Sequence, residues 1–179
     1  MILMFGLMQA SKKIPFEDPQ VVQYARLAYV LSNVILFGIY FIVRLKINSK
    51  NDLTTLKFVE PPSQFGGSSE RKLTTTTVKD YDLQQVSSAV RSSFTGIAIL
   101  LFMHFKLGYT NPLVMQSILP IKSLFEQKVV QIHLFGKPAT GDLKRPFQAP
   151  SLFGPGAFET DKNAINAAEK SGSGGVKNE

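Results

Sequence analysis

The stretch LAYVLSNVILFGIYFIV, residues 27–43, runs for 17 residues without a charge, fenced by Arg26 before it and by Arg44 and Lys46 after it. At 1.5 Å per residue a helix of that length covers about 26 Å, and one more turn back to Tyr24 reaches the ~30 Å of a bilayer's hydrocarbon core. The bland alternative is a core helix of a soluble protein, but Tyr29, Leu36 and residues 39–43 leave no polar stripe for water to wet. The stretch reads as a transmembrane helix over residues 24–43.

Further along the chain, residues 92–109, SSFTGIAILLFMHFKLGY, form a second apolar window. Its one cation, Lys106, sits near the end, where a long side chain snorkels, and Tyr109 suits an interface. A third window, LVMQSILPIKSLF at residues 113–125, is shorter and carries Gln116, Pro120 and Lys122. Two readings of it stand open, a short or kinked span packed inside a bundle and an amphipathic helix on the surface, and the first is preferred. The opening MILMFGLMQA is apolar, but Lys12 and Lys13 follow it, the reverse of a secretory signal's charge order, and no small-residue cleavage site comes after. It is expected to be retained as a partial span, a re-entrant piece or an interfacial anchor.

The sequence thus predicts an all-α integral membrane protein, a small bundle of about three transmembrane helices. The divisions expected are an N-terminal apolar segment and turn (1–23), a helix (24–43), a cytosolic loop (44–91), a helical hairpin (92–127) and a basic, mostly irregular C-terminal region with a flexible tail (128–179). Orientation follows from the cations. Residues 44–91 hold eight Lys or Arg, and Lys128, Lys137, Lys144 and Arg145 follow the third window, whereas the turn at 108–112 has none. The positive-inside tendency places the central loop and the C-terminal region in the cytosol.

Composition removes most enzyme classes. The chain has 179 residues, 44% of them apolar and 18% charged, with a formal charge of +7 and no Cys. Thiol nucleophiles, disulfides and thiolate metal sites are therefore absent, and the two histidines, His104 and His133, lie too far apart in sequence for a familiar zinc pattern. No cofactor and no catalysis are expected.

In the polar parts, LTTLKFVE (53–60) and LTTTTVKD (73–80) allow a two-stranded element across a Pro, Gly and Ser-rich turn, and DYDLQQVSSAV reads as a helix start capped by Asp80 or Asp82. VVQIHLF (129–135) alternates well enough for one strand, a short helix is expected over 165–169, and SGSGGVKNE reads as a solvated tail. The glycine spacing of GKPATG (136–141) is that of a phosphate-binding loop, but Asp142 and Leu143 stand where Lys and Ser or Thr are required.

Two groups remain as candidate sites. Polar residues recur in all three apolar windows: Ser32 and Asn33, His104 and Lys106, then Gln116, Ser117 and Lys122. Because each is costly against lipid, Asn33, His104, Gln116 and Lys122 are candidates to line one intramembrane groove, with interhelical hydrogen bonds and snorkelling as the bland alternative. Lys137, Lys144 and Arg145, interleaved with Phe135 and Phe147, are candidates for contact with RNA phosphates, acidic headgroups or an acidic protein surface, against a loop that only fixes topology.

The segments EDPQVVQYAR (17–26), KNDLTTLKFVEP (50–61), TTVKDYDL (76–83), YTNPLVMQSILPIKS (109–123) and IHLFGKPATGDLKRPFQAPSLFG (132–154) resemble a fungal family of endoplasmic-reticulum membrane proteins. That family is the third component of the signal-recognition-particle-independent (SND) targeting pathway, also called inorganic phosphate transport proteins. The resemblance implies a non-enzymatic factor that delivers nascent membrane proteins to the endoplasmic reticulum. Implied partners are the ribosome, the Sec61-type translocon and other SND components, with contact to ribosomal RNA through the basic loops as a further option. The older name implies a part in phosphate uptake or in maturation of a phosphate transporter. The order of helix, cytosolic loop and hairpin is similar to Oxa1-type insertases, an analogy of topology alone.

Overall fold

The apolar stretch that opened the reading lies inside a longer helix, α1, Pro19–Lys50. Asp18 precedes it, with Oδ1 accepting from the Gln20 N–H at 2.8 Å, and Pro19 occupies the first turn, where its missing donor costs nothing. At the other end Asn51 turns left-handed (φ 45°) while its N–H still reaches the Ile47 carbonyl, a helix stop that asparagine tolerates better than most residues. The computed structural model describes residues 13–60, 72–147, 162–170 and 174–176, together with Gly6 and Gln9. The N-terminal apolar segment and the Pro, Gly and Ser-rich turn of the central loop therefore lie mostly outside the described residues.

Strand β1 (Thr55–Glu60) pairs antiparallel with β2 (Lys72–Thr77), from Thr55 opposite Thr77 to Glu60 opposite Lys72, as the two threonine-rich segments predict. The chain then passes directly into helix α2, Val78–Leu107. Its cap is not Asp80 or Asp82, as the sequence reading had it. Thr77 Oγ1 accepts from the Asp80 N–H at 3.1 Å and donates to Asp80 Oδ2 at 2.6 Å, a reciprocal capping arrangement that starts the helix earlier than expected. Gly108 (φ 70°) ends α2, letting the Tyr109 N–H fold back to the Met103 carbonyl.

Helix α3 (Asn111–Glu126) and helix α4 (Lys128–His133) follow. The strand expected over 129–135 is a helix instead, because Val129, Val130 and Ile132 bury together only at helical spacing. Pro120 inside α3 has no N–H for the Gln116 carbonyl and so interrupts the hydrogen-bond ladder there. After a 3₁₀ turn at Gly141–Leu143 come helix α5 (Lys162–Lys170) and strand β3 (Gly174–Val176). β3 pairs parallel to β2, so part of the expected solvated tail is a third strand. The fold is mostly helical, and the all-α expectation is corrected by this small sheet.

Two units divide the chain. The first, Met1–Lys46 with Gln85–Phe135, holds most of α1 and α2 and all of α3 and α4, and Ala25, Tyr29, Leu100 and Leu113 form one of its cores. The second, Ile47–Gln84 with Gly136–Glu179, holds the sheet, where Val59 and Leu73 pack with Ile165 of α5. Both α1 and α2 are long and apolar enough to cross a membrane. Their apolar windows are only 22% and 11% buried, the reverse of a soluble protein's core helix. Leu27, Val34, Phe41, Phe94, Phe102 and Phe105 are among the large apolar side chains left exposed. Helix α3, with 16 residues, is shorter than a usual span.

Candidate functional site

Within the first unit, α1, α2 and α3 line a partly open cavity of about 230 Å³. Each helix presents one face to it. Tyr29, Asn33, Leu36 and Tyr40 of α1 stand at i, i+4, i+7 and i+11, and the run from Gln116 through Pro120 and Ser123 to Gln127 repeats that spacing, which keeps residues on one helical face. From α2 come Ala89, Ser92, Ser93, Gly96 and Ile97, small residues for the most part, and it is their size that leaves the space unfilled. A side-chain carbon placed on Gly96 would meet nothing within 4 Å.

The lining sets uncharged polar groups among a larger apolar surface: Asn33, Ser92, Ser93, Gln116, Ser123 and Gln127 contribute amides and hydroxyls, and none of the lining residues is Asp, Glu, Lys or Arg. Several of these groups are satisfied within their own helix. Asn33 Nδ2 donates to the Tyr29 carbonyl at 2.8 Å and Ser93 Oγ to the Ala89 carbonyl at 2.9 Å, the local bond that lets a polar residue sit in an apolar helix. Asn33 thus does not bridge helices. A bond across the cavity comes from a residue absent from the sequence candidates, Gln127, which stands between α3 and α4 and whose Nε2 donates to Tyr40 Oη at 2.8 Å.

Of the four groove candidates, the fold brings Asn33 and Gln116 to this cavity and places the other two elsewhere. His104 is buried near the end of α2, with Nε2 3.0 Å from Arg26 Nε and Nδ1 3.1 Å from the Tyr109 carbonyl. Arg26 only donates and a carbonyl only accepts, which fixes the tautomer with the proton on Nδ1. His104 therefore fastens α1 to the turn after α2. Lys122 pairs with Glu126 one turn along α3, an exposed i,i+4 ion pair. Of the cavity residues missed in the sequence, Tyr40, Ser123 and Gln127 had a readable signal in the shared i, i+4, i+7, i+11 spacing, whereas Ser92 and Ser93 lie on α2, outside it.

The basic cluster of the second unit separates as well. Lys144 is exposed and so is Lys137, but Arg145 is not: its side chain is 10% exposed and lies against Asp82, at 1%. Nε and Nη2 of Arg145 donate to Oδ1 and Oδ2 of Asp82 at 2.7 and 2.6 Å. Around this fork, Tyr81 meets both Phe58 and Phe147 edge-on, and the Phe147 N–H donates to Tyr81 Oη at 2.7 Å. Burial raises the Tyr81 phenol above its usual pKa, so it stays protonated at neutral pH. Arg145 is a structural clamp on the C-terminal segment and is unavailable to an outside phosphate.

The chain is mostly helical, with two helices of membrane-spanning length and apolarity and, in its first unit, a cavity that carries uncharged polar groups. It belongs to the family described as phosphate transport (Pho88), whose model matches residues 1–176. It is 52% identical to SRP-independent targeting protein 3 of Saccharomyces cerevisiae over 99% of this chain and 96% of that one. A homolog of that targeting protein in Schizosaccharomyces pombe is 38% identical over 91% of this chain and 85% of its own length. An uncharacterized protein of the same yeast is 49% identical, covering 96% of this chain and 88% of the relative. No solved structure matches the chain.

Proposed function

We propose that this protein is a non-enzymatic endoplasmic-reticulum membrane factor for SRP-independent targeting and insertion of nascent membrane proteins, acting with the ribosome, a Sec61-type translocon and other SND components. Helices α1 and α2 cross the bilayer, and α3 forms a short third span beside them, the missing hydrogen bond at Pro120 accommodated inside the bundle. The central loop and the C-terminal region are cytosolic. What carries the reading is the cavity: uncharged polar groups of Asn33, Ser93, Gln116 and Gln127 gathered among helices whose outward faces are apolar. A client's polar flank moving past such a lining loses fewer hydrogen bonds than it would in lipid, which lowers the cost of insertion.

The relatives' name supports the targeting part of this reading, and the family description raises a second one, phosphate transport. The cavity argues against conduction of phosphate, since its lining offers an anion no cation. A factor that inserts a phosphate transporter accounts for both names. The test is a photocrosslinker at Asn33 or Gln116 in microsomes translating a stalled membrane-protein client. Adducts to the nascent chain support insertion; adducts confined to stable translocon subunits replace it with a scaffold role, and phosphate flux into vesicles holding this protein alone replaces it with transport.

A further inference from the structure

A second concavity, about 470 Å³, opens between α1 and α2 in the first unit, and unlike the first its lining carries cations. Its walls are apolar, led by Phe37 and Phe94, whose rings stack with centroids 4.9 Å apart, and by Phe41. Arg44 and Arg91 also line it, and the lining contains no carboxylate. Among the described residues neither guanidinium has an acidic partner.

The two arginines share a level. Phe37 meets Phe94 while Tyr29 packs with Leu100, so α1 and α2 run antiparallel. Arg44 directly follows the uncharged stretch of α1, and Arg91 directly precedes that of α2. Given the spans proposed above, on which this inference rests, both guanidiniums stand at the cytosolic boundary of the hydrocarbon, and the phenylalanines stand one to two turns deeper.

We propose that this cleft is a binding site for one anionic phospholipid, its headgroup phosphate held between Arg44 and Arg91 and an acyl chain laid along Phe37, Phe41 and Phe94. A paired guanidinium site matches a phosphate, and unpaired cations at headgroup depth attract an anionic headgroup over a zwitterionic one. Free inorganic phosphate has no use for the aromatic wall, which is why the lipid is the occupant favoured.

The test uses the full chain in phosphatidylcholine bilayers doped with a photoactivatable phosphatidylserine, with adducts mapped by peptide mass spectrometry. Adducts are expected on peptides bearing Phe41 and Phe94, and replacing both arginines (Arg44→Gln, Arg91→Gln) should lower the yield by on the order of tenfold or more. Arg44→Lys with Arg91→Lys, which keeps the charge, should retain most of the yield, and Lys46→Gln, outside the cleft, should leave it unchanged. Equal labelling by a photoactivatable phosphatidylcholine overturns the proposal. So does loss of label on adding inorganic phosphate at constant ionic strength, which would mark a free-phosphate site. Alkaline carbonate extraction separates the premises: a chain that washes off the membrane refutes the spans and the site together, whereas an integral chain without selective adducts refutes the site alone.

Discussion

Arg145 and Asp82, 63 positions apart in sequence, meet in a two-pronged ion pair that ties the segment after the 3₁₀ turn to the first turns of α2. Both side chains are nearly or wholly out of solvent, so the pair's value lies in what its loss would leave behind, an uncompensated buried charge. Arg145→Ala or Asp82→Ala should each destabilise the sheet-bearing unit by about 3–5 kcal/mol, whereas Asp82→Leu with Arg145→Met should recover much of that loss. Arg145→Lys should fall between wild type and the alanine variant, because an ammonium keeps the charge but cannot bond both carboxylate oxygens as the planar fork does. Thermal melts and limited proteolysis of the purified chain measure this, and single variants that melt like wild type would refute the clamp.

The exposed cations of the basic cluster are Lys137 and Lys144. Changing both to Glu should weaken co-sedimentation with ribosome–translocon complexes without lowering the protein's membrane level, and raised salt should weaken the wild-type association in parallel. Normal sedimentation of the variant would reduce the loop to a topology signal. Including Arg145 in the set would confound the result, since its loss acts through folding.

Asp52, just past the end of α1, accepts from Thr54 twice at Oδ1, from the hydroxyl at 2.6 Å and the N–H at 3.1 Å. These bonds, the side-chain one first, hold its carboxyl below the usual range. A depressed folded-state pKa contributes stability that is present above the unfolded carboxylate value and is lost as pH falls through the folded one. The group is solvent-accessible, so the effect is small. The stability difference between wild type and Asp52→Asn should therefore narrow on acidification below the ordinary carboxylate range, and a difference flat with pH would contradict the assignment.

With no native Cys, the chain suits single-cysteine labelling. In sealed microsomes, Leu53→Cys and Lys144→Cys should react with an impermeant maleimide, and Tyr109→Cys, in the turn between α2 and α3, only after permeabilisation. Protection at position 144 with reaction at 53 would mean that α3 does not span. Protection at both would invert the whole arrangement.

How far the sequence discloses the fold depends on which force sets each element. Hydropathy sets the apolar windows, so residues 27–43 and 92–107 read as helical, yet α1 runs past its window at both ends and α2 begins well before its own, because Asp18, Asn51 and Thr77, not hydropathy, decide those ends. VVQIHLF was misread since a short apolar run has no decisive period, and the burial of Val129 with Ile132 settles it. Pairing of β3 with β2 depends on a long-range contact that no local pattern encodes. Asn33 and Gln116, which line the cavity, stand out in the sequence because a polar residue in an apolar helix is conspicuous. The pairing of Arg145 was not legible because charge alone does not reveal a buried carboxylate 63 positions away.

Gly96 offers a way to fill the polar cavity without touching its polar groups. It lies mid-helix in α2 with open space where a side chain would begin, and it carries no positive φ that would strain a replacement. Leucine there raises helix propensity by up to about 1 kcal/mol and projects an apolar branch among Asn33, Ser93 and Gln116. Gly96→Leu should leave membrane level and melting temperature unchanged or slightly raised, and should reduce insertion of SRP-independent clients. Gly96→Ala, which adds one carbon, should keep most of the activity. Alanine lacking activity along with leucine would point to a backbone role for the glycine instead. Asn33→Leu with Gln116→Leu completes the comparison, since it removes amides and adds bulk, whereas Gly96→Leu only adds bulk. If Gly96→Leu inserts clients at the wild-type rate while the protein is stably embedded, the cavity is not the client's path, and a scaffold role braced on α1 and α2 takes its place.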